Sequence, residues 1–478
     1  MRLGATLGNP TGPIIDVMYR AGLLFFLSIY LWAQSPVYVV LWFDTEDYIE
    51  PAADDAALRI ANDLSGLGVR ATFKVVGEKA RTLESRGRGD VIRALSAHNI
   101  GYHSNLHSIQ PVPALYLRRL GFIEGADEFE RREAAGFRDI GRIFGVTPVC
   151  YGQPGSSWAP QTNLALRRMG IPVYLDEGSQ VGLDQQPFWY GGLLYIYNMG
   201  RYQIRPNLDD EEKNLNVLRQ FDSAAQQLAS SGGGVISTYF HPTEFVTTEF
   251  WDAVNFSRGA TRERQDWTRP RLRTAESRER CFRILRGYVE HAKKTPGVQF
   301  VTAQDLLQLY KPQTPPRVDR ARLTGHFRRQ ITFLRTESGD LSAGEILLQL
   351  LGLDWRMVDG PSDRGVSTYG AETIPRGLFD RAKQDAISFI TAHRRLPSEI
   401  FIGERILSLA DFAATVAGEA PSPAPVTVAR GQLEMERYFA TDASRSFNWP
   451  IHPDGFAAPE LLEVARLQGW TLKPARLR

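Results

Sequence analysis

Short apolar runs rich in β-forming residues alternate with segments of helical periodicity over residues 37–309. The first run, 37–43, is almost continuously apolar, which predicts a strand buried on both faces. Helical spacing follows at 54–67, and a second apolar run follows at 71–76. The alternation continues through predicted helices at 89–97, 127–144, 276–294 and 304–309, predicted strands at 147–151, 173–175, 235–240 and 299–302, and the segment 99–107. Repeated strand–helix units predict an α/β protein with a largely parallel sheet or barrel, whose functional sites gather at the C-terminal ends of the strands.

The pattern changes after residue 310. Residues 311–317, Lys-Pro-Gln-Thr-Pro-Pro-Arg, have the composition of a linker. Beyond them, 341–351 and 379–393 have the spacing of amphipathic helices, and a Pro-rich tract at 421–425 interrupts the remainder. The sequence therefore predicts four parts: an N-terminal extension at 1–35, a barrel at 36–311, a linker at 312–320, and a separate, smaller, mostly helical domain at 321–478.

The N-terminal extension contains an apolar stretch at 21–32 that follows Arg20. The stretch is shorter than the roughly 20 residues of a membrane-spanning helix and fits the roughly 7–15 residues of a signal-peptide core. With Met18 as the start, residues 18–20 form a short basic n-region; the alternative is a buried N-terminal helix. We expect the protein to be secreted, or periplasmic in the cell envelope, after signal cleavage, and to be membrane-anchored if the segment is retained.

Composition narrows the class of protein. Hydrophobic residues at 43% and charged residues at 23% are ordinary globular values, so wholesale disorder and a polytopic membrane protein are excluded. The balance of 56 basic and 54 acidic residues leaves a net charge of +2, without the basic excess that nucleic acid requires. We therefore expect no nucleic-acid partner, and no stable protein partner is predicted. The two cysteines, Cys150 and Cys281, are too few for a disulfide scaffold, and whether they pair is left open.

Three carboxylates, Asp44, Glu46 and Asp47, follow directly after the first predicted strand. Carboxylates crowded in this way repel one another unless a cation or a shared proton compensates, as at a metal or acid–base site. The alternative is a solvated acidic turn.

Two histidines, His103 and His107, are spaced four residues apart after the segment that begins at 99. On a helical turn such positions share a face, so both rings can reach one cation. The alternative is two unrelated surface histidines. Two histidines and one carboxylate leave coordination positions open for water and substrate, as in hydrolytic metal sites. We expect a divalent metal, with zinc favoured, while cobalt, nickel or manganese would suit the same donors.

Two further segments follow predicted strands. The turn at 149–158 is rich in Gly and Pro and contains four candidate substrate-binding or oxyanion-binding residues: Tyr151, Pro154, Gly155 and Trp158. Its backbone N–H groups could face a developing oxyanion, although turns use Gly and Pro for geometry alone. His241 ends the apolar run at 235–240 and, beside a metal site, becomes the candidate general acid.

These four segments resemble, in order and spacing, the polysaccharide deacetylase family, also called NodB-homology or carbohydrate esterase family 4 proteins. Residues 36–310 are similar to this family throughout. The acidic cluster, the His-Ser-x-x-His at 103–107 and the strand ending at His241 resemble its first, second and fifth motifs. The resemblance implies a distorted (β/α) barrel of the glycoside hydrolase/deacetylase type that holds a divalent metal and removes acetyl groups from an N-acetylated glycan or cell-wall polysaccharide.

The resemblance also implies roles for individual residues. Asp44 would be the catalytic base, His103 and His107 metal ligands, and His241 the general acid. Glu46 and Asp47 are both candidates for the carboxylate ligand. An extended strand puts Glu46 on the face of Asp44, whereas a turn at Thr45 would bring in Asp47, which we prefer.

The sequence departs from the family pattern in its third and fourth motifs. The third usually carries an arginine ahead of its proline, where this chain has Gly152-Gln153-Pro154, and the only nearby candidate for the fourth-motif aspartate is Asp176. Two alternative functions therefore remain: a catalytically weak or inactive carbohydrate-binding relative, and an amidohydrolase of a small non-sugar amide. The long segment 244–273, which contains Phe250, Trp251 and Trp267, is a candidate cap of the cleft whose rings would stack on sugar faces, and the alternative is an aromatic satellite core.

The C-terminal region contains one further resemblance. Residues 387–412 resemble a single pseudomurein-binding repeat: a helix, Leu-Pro, a short strand, and a helix begun by Ser408 with Asp411 in its first turn. This resemblance implies a cell-wall attachment role for the domain.

Overall fold

The computed structural model describes residues 1, 4 and 35–478. The predicted signal segment at 21–32 lies outside the described residues. None of the helices in the described part combines the length and the apolar character needed to span a bilayer.

The chain folds into sixteen short strands and sixteen α-helices over the described residues. The strands are β1 (Val37–Thr45), β2 (Thr72–Val75), β3 (Asn99–Tyr102), β4 (Cys150–Tyr151), β5 (Val173–Leu175), β6 (Phe188–Tyr190), β7 (Leu193–Ile196), β8 (Gly234–Phe240), β9 (Val298–Val301), β10 (Leu334–Arg335), β11 (Asp340–Leu341), β12 (Thr373–Ile374), β13 (Glu399–Ile402), β14 (Arg405–Ser408), β15 (Val426–Thr427) and β16 (Lys473–Pro474). The helices are α1 (Ala52–Gly66), α2 (Gly77–Ser85), α3 (Gly89–Ser96), α4 (Pro113–Leu117), α5 (Phe122–Phe144), α6 (Thr162–Arg168), α7 (Glu211–Ser230), α8 (Trp251–Phe256), α9 (Ala275–Lys294), α10 (Ala303–Leu309), α11 (Arg320–Phe327), α12 (Ala343–Leu350), α13 (Arg376–His393), α14 (Leu409–Gly418), α15 (Ala443–Ser446) and α16 (Pro459–Leu467).

Ten of the strands form one curled sheet in the order β16-β6-β7-β5-β4-β3-β2-β1-β8, with β9 also paired to β1. Pairing is parallel from β8 to β7 and antiparallel where β6 and β16 join. The central strand β1 is buried at every position except Tyr38, as its continuous apolar sequence requires. The predicted α/β class with a distorted, barrel-like sheet is therefore confirmed.

The register of the sheet brings the predicted site residues to one edge. β1 and β2 are aligned so that Asp44 lies opposite Lys74. β3 ends one residue before His103, and β8 ends one residue before His241. Because the C-terminal ends of parallel strands share one edge of the sheet, these side chains meet there although the chain positions are far apart.

The C-terminal region is divided differently from the single domain predicted at 321–478. Helices α12, α13 and α14 build a second apolar core of their own. The residues beyond that core return to the barrel, whose core includes Tyr438, Phe439, Phe447, Leu461 and Leu472. The last strand, β16, pairs with β6 and extends the barrel sheet. Apolar periodicity predicts that a segment is buried, but it does not indicate which partner buries it.

Two smaller predictions can be compared with the fold. Ser408 caps α14 as predicted, because its Oγ accepts a hydrogen bond from the backbone N–H of Asp411 at 3.2 Å. The wall-binding role implied for 387–412 stays a prediction. Cys150 and Cys281 are both buried free thiols, so they do not form a disulfide with each other.

The return of the chain end to the barrel predicts a stability effect at Phe439, which is 5% exposed and lies 6.0 Å from Tyr190 between ring centroids. Phe439→Ala should lower the free energy of unfolding by about 3–5 kcal/mol because it leaves a cavity in the barrel core. Urea denaturation followed by circular dichroism measures the change. The control is Phe401→Ala, where the ring is 61% exposed and we expect less than about 0.5 kcal/mol. Equal effects of the two substitutions would contradict the assignment of Phe439 to the barrel core.

Candidate metal centre

Three buried donors converge at the edge of the sheet. Glu46 Oε2 lies 3.2 Å from His103 Nε2 and 2.7 Å from His107 Nε2. Glu46 follows β1, and both histidines lie in the loop that follows β3. The three ligand atoms are all within 4.8 Å of one another, and each side chain is buried, so together they could hold one metal ion.

Hydrogen bonds on the far sides of the two rings orient their donor atoms. His103 Nδ1 lies 3.0 Å from the backbone oxygen of Gly152. A carbonyl oxygen only accepts, so this nitrogen carries the proton and Nε2 presents its lone pair to Glu46. His107 Nδ1 lies 2.6 Å from Ser108 Oγ, and its Nε2, although close to Glu46, makes no hydrogen bond. Imidazole lone pairs that point at a carboxylate repel it unless a cation lies between them. One carboxylate and two imidazoles are a donor set that fits a divalent transition metal.

The electrostatics of the three donors agree with this geometry. Burial alone raises the pKa of Glu46, but His107, His241 and His103 hold that pKa well below its usual range, so the group is a carboxylate at neutral pH. Burial lowers the pKa of His103, which keeps that ring neutral. Burial also lowers the pKa of His107, but the Glu46 carboxylate outweighs burial and raises it. Such a rise is the response of a buried ring that faces an anion with no cation between them.

Asp47, the preferred third donor from the sequence, is directed away from the histidines. Its Oδ1 accepts hydrogen bonds from the backbone N–H groups of Ile49 and Glu50, each at 2.9 Å. Its Oδ2 accepts a hydrogen bond from Thr243 Oγ1 at 2.7 Å. The structure brings Glu46 to the histidines instead, because β1 stays extended to its end and alternate residues of an extended strand share a face.

The two histidines meet through an irregular loop and not on the helical turn that their spacing suggested. Ser104 and His107 have φ values of 66° and 55°, in the left-handed region. The loop is held in this conformation by a hydrogen bond from the backbone N–H of Asn105 to Glu133 Oε2, at 2.7 Å. The ring centroids of His103 and His107 are 4.9 Å apart. The two rings are therefore close together, as their spacing predicted, but an irregular loop and not a helical turn brings them together.

Asp44 belongs to a buried charge cluster beside these donors. Its Oδ1 lies 2.9 Å from Lys74 Nζ, and the same ammonium lies 2.7 Å from Asp176 Oδ2. Lys74 is fully buried and its ammonium sits 4.1 Å from the ring centroid of Trp42. Burial lowers the pKa of Lys74, but Asp176 and Asp44 outweigh burial and raise it, so the cation persists. One ammonium therefore bridges two buried carboxylates.

Sequence reasoning missed Lys74, although a lysine inside the apolar run 71–76 was the available signal. The arginine that the family resemblance would place ahead of Pro154 is absent, and the ammonium of Lys74 supplies a positive charge at Asp44 instead. Gly152 makes this arrangement possible, because a Cβ built at this position would overlap Lys74 Nζ and Asp176 Oδ2.

His241 faces the same cluster from the end of β8. Its Nδ1 lies 2.5 Å from Glu244 Oε1, and Glu244 is in turn ion-paired with Arg205. The other ring nitrogen, Nε2, lies 3.7 Å from Asp44 Oδ2. Burial lowers the pKa of His241, but the carboxylates of Glu46, Glu244 and Asp44 outweigh burial and raise it to about 9. Glu244 is a second residue of this cluster, after Lys74, that the sequence had not singled out.

The Gly- and Pro-rich turn at 149–158 contributes less to the cleft than predicted. Tyr151 and Trp158 are fully buried in the barrel core, and Pro154 is also buried. Of the four predicted residues, Gly155 alone lines the cleft. Outside the ladder of β4, the backbone N–H groups of Gly152, Ser157 and Trp158 donate to backbone carbonyls. These three amides are therefore occupied in the structure.

A cleft of about 540 Å³ opens over the donors and the charge cluster. The segment 244–273 lines it with Phe250 and Asp252, and it reaches beneath the donors, where Trp251 Nε1 donates to Glu46 Oε1 at 2.9 Å. Trp267 instead packs against Tyr48, at 5.5 Å between ring centroids. Four residues of the C-terminal region also line the cleft: Arg445, Ser446, Asn448 and Trp449.

Comparisons with known proteins find similarity among solved structures. No protein-family model matches the sequence, and no curated protein matches it. The chain is similar to a protein from Mycobacterium smegmatis assigned as a polysaccharide deacetylase (15% identity, 60% of this chain and 96% of that chain, TM-score 0.38) and to a Puue allantoinase (15% identity, 58% and 91%, TM-score 0.38). It is also similar to a family 4 acetyl xylan esterase from Clostridium thermocellum in complex with a cobalt ion (17% identity, 57% and 90%, TM-score 0.28). Similarity at this level does not determine the reaction, which depends on the residues in the cleft.

The buried cluster predicts a large stability effect at Lys74. Lys74→Met should lower the free energy of unfolding by about 3–5 kcal/mol, because it leaves two buried carboxylates without their cation. The control is Lys213→Met, which removes an ammonium whose side chain is 68% exposed and should cost less than about 0.5 kcal/mol. Denaturant titration of both variants measures the difference. If Lys74→Met unfolds at the same denaturant concentration as the control, the cluster does not have the role assigned to it.

Proposed function

We propose that this protein is a metal-dependent hydrolase that removes N-acetyl groups from the amino sugars of a glycan. The observation that carries the proposal is the convergence of Glu46, His103 and His107 in one cleft beside Asp44 and His241. A metal site with open positions, a carboxylate and an imidazole together supply the three groups that amide hydrolysis requires.

Glu46, His103 and His107 would hold the ion, and zinc is the metal we propose, with cobalt, nickel or manganese as alternatives. When bound, such an ion polarises a carbonyl and lowers the pKa of water. The chain itself fixes the donors before any ion arrives, because each is held on its far side. Trp251 donates to Glu46, and the backbone carbonyl of Gly152 accepts from His103.

In this proposal Asp44 acts as the general base. Lys74 holds one of its oxygens at 2.9 Å, which fixes the orientation of the carboxylate, and its other oxygen faces His241 across the cleft. This second oxygen can accept the proton of an attacking water molecule. Hydroxide adds to the acetyl carbon, and the C–N bond then breaks.

In this proposal His241 protonates the leaving nitrogen. Its Nδ1 is occupied by Glu244, so the proton available to the cleft is the one on Nε2. Transfer of that proton to the nitrogen allows it to leave as an amine, which completes the hydrolysis. The products are acetate and a free amino sugar, and the atoms of one water molecule are divided between them.

The substrate class rests on the resemblance of residues 36–310 to polysaccharide deacetylases and on the lining of the cleft. Tyr239, Phe250 and Trp449 present aromatic rings to the cleft, and such rings suit the apolar faces of sugars. We therefore propose an N-acetylated glycan or cell-wall polysaccharide as the substrate. An exported protein would meet such a polymer, which agrees with the signal segment expected at 21–32.

The donor assignment predicts opposite effects of two neighbouring substitutions. Glu46→Gln should remove bound metal, because it replaces a ligand carboxylate with a weakly coordinating amide. Asp47→Asn should retain the metal, since Asp47 bonds to backbone N–H groups and Thr243. Metal content after dialysis against Zn²⁺-containing buffer, measured by mass spectrometry, distinguishes them. Loss of metal in Asp47→Asn with retention in Glu46→Gln would reverse the assignment.

The catalytic roles predict loss of turnover without loss of metal. Asp44→Asn and His241→Asn should each lower kcat for acetate release from N-acetylated oligosaccharides by roughly 10²–10⁴-fold, because each removes a proton-transfer group. Both variants should keep their metal, whereas a His103→Ala, His107→Ala double variant should lose metal and activity together. The control is His393→Asn, an exposed histidine on α13. A wild-type protein that binds metal but releases no acetate would favour a glycan-binding role or another amide substrate.

A further inference from the structure

The end of the chain reaches the metal centre through a segment that we call the return segment, residues 442–452. We propose that Trp449 of this segment is a positioning residue of the metal centre, which fixes the ligand His107 through Asp252 and Ser108. The inference rests on the metal site of the proposed function and is independent of the substrate. It assigns a role in the site to a part of the chain that lies more than 300 residues from His107 in sequence.

A directed series of hydrogen bonds joins Trp449 to the donors. Trp449 Nε1 donates to Asp252 Oδ2 at 2.7 Å, and Ser108 Oγ lies 3.4 Å from the same oxygen. His107 Nδ1 lies 2.6 Å from Ser108 Oγ. An indole only donates and a carboxylate only accepts, so the serine donates to Asp252 and accepts from His107. This polarity leaves the proton on His107 Nδ1 and the lone pair on Nε2, which faces Glu46 at 2.7 Å.

Asp252 depends on the indole because its other partners are weak or local. The carboxylate is fully buried, and no lysine or arginine of the described residues forms an ion pair with it. Its remaining donors are its neighbour's backbone N–H, at Ala253, and the more distant Ser108 hydroxyl. A buried carboxylate that loses a charge-assisted hydrogen bond must recruit another donor or move. Either response would disturb Ser108 and the ring that Ser108 holds.

The return segment is itself held in place by loops of the barrel. The backbone N–H of Trp449 donates to Ser156 Oγ at 2.9 Å, and Gln180 Nε2 donates to the backbone oxygen of Ser446 at 2.6 Å. Gln110 Nε2 donates to the backbone oxygen of Ile451 at 2.7 Å. These anchors come from three different loops. The indole is therefore a fixed part of the site and also forms a wall of the cleft.

The glycine at 155 supports the same conclusion. A Cβ built at Gly155 would overlap the indole ring of Trp449, and Gly155 has a φ of 52°. The turn that the sequence singled out as a binding element therefore serves to admit the indole. Phe250 completes the packing with its ring centroid 5.4 Å from that of Trp449, in an edge-to-face arrangement.

The test is the affinity of the metal-free, full-length protein for Co²⁺, followed by the visible absorption of the bound ion. Trp449→Phe keeps the aromatic bulk and removes the N–H donor. We expect it to weaken Co²⁺ binding, by no more than the roughly 10–100-fold that loss of the direct outer partner of a ligating histidine costs, and to alter the absorption spectrum. The matched control is Trp355→Phe, which removes an indole N–H that donates to Glu345 at 3.1 Å, away from the site. This control should bind Co²⁺ like the wild type.

A double-mutant cycle with Ser108→Ala separates positioning from general packing. Ser108→Ala alone should weaken Co²⁺ binding by itself, and adding Trp449→Phe should then cost nothing further, because the connection is already broken. Thermal unfolding of the metal-free variants shows whether each is folded. If Trp449→Phe is unfolded, the Co²⁺ affinity of Ser108→Ala tests the inference instead. Unchanged affinity in Ser108→Ala or in folded Trp449→Phe, or additive losses in the double variant, would overturn the inference. A wild-type protein that binds no Co²⁺ would instead overturn the metal site of the proposed function and this inference with it.

Discussion

The geometry of the site depends on a buried ion-pair cluster, in which the ammonium of Lys74 lies between the carboxylates of Asp44 and Asp176. Removing three charged groups from water is costly, and the cost is offset only while all three stay in contact. The partners lie on or directly after β1, β2 and β5, and the absent side chain of Gly152 makes room for them after β4. The cluster therefore fixes four strand ends relative to one another at the edge of the sheet where the donors converge.

The same strand ends also set the orientation of the donors. The backbone carbonyl of Gly152 accepts a hydrogen bond from His103 and so orients the imidazole ring. Because Gly152 has no side chain, it also leaves room for the ammonium of Lys74. Glu46 reaches both histidines because β1 remains extended, and Trp251 from the segment 244–273 holds its second oxygen. A neutral hydrogen-bond partner thus holds each donor side chain on the side away from the cleft. The remaining oxygen of Glu46 and the Nε2 atoms of His103 and His107 are therefore directed at one point.

The chain end has two roles in this architecture. One part of the C-terminal region forms a second apolar core, and the remainder returns to complete the barrel core and a wall of the cleft. Arg167 on α6 pairs with Asp359 at 2.8 Å, which ties the second core to the barrel at another point. Residues of the barrel and of the returning C-terminal region therefore line the same cleft.

Local sequence patterns were enough to predict the alternation of strands and helices, the burial of β1 and β8, and the strand ends that are followed by Asp44, His103, His107 and His241. These features follow from local periodicity, because a continuous apolar run indicates a buried parallel strand and such strands share one C-terminal edge. Only contacts between distant segments show that Glu46, and not Asp47, lies beside the two histidines, since Asp47 is held by Thr243, which is 196 residues away. The burial of Tyr151 on β4 was not predictable either, because a strand buried on both faces has no polar alternation to indicate direction, and Trp158 is buried from the loop that follows β4. The partners of Lys74 and the return of Trp449 to the site likewise depend on contacts between distant segments, and local sequence patterns do not record such contacts.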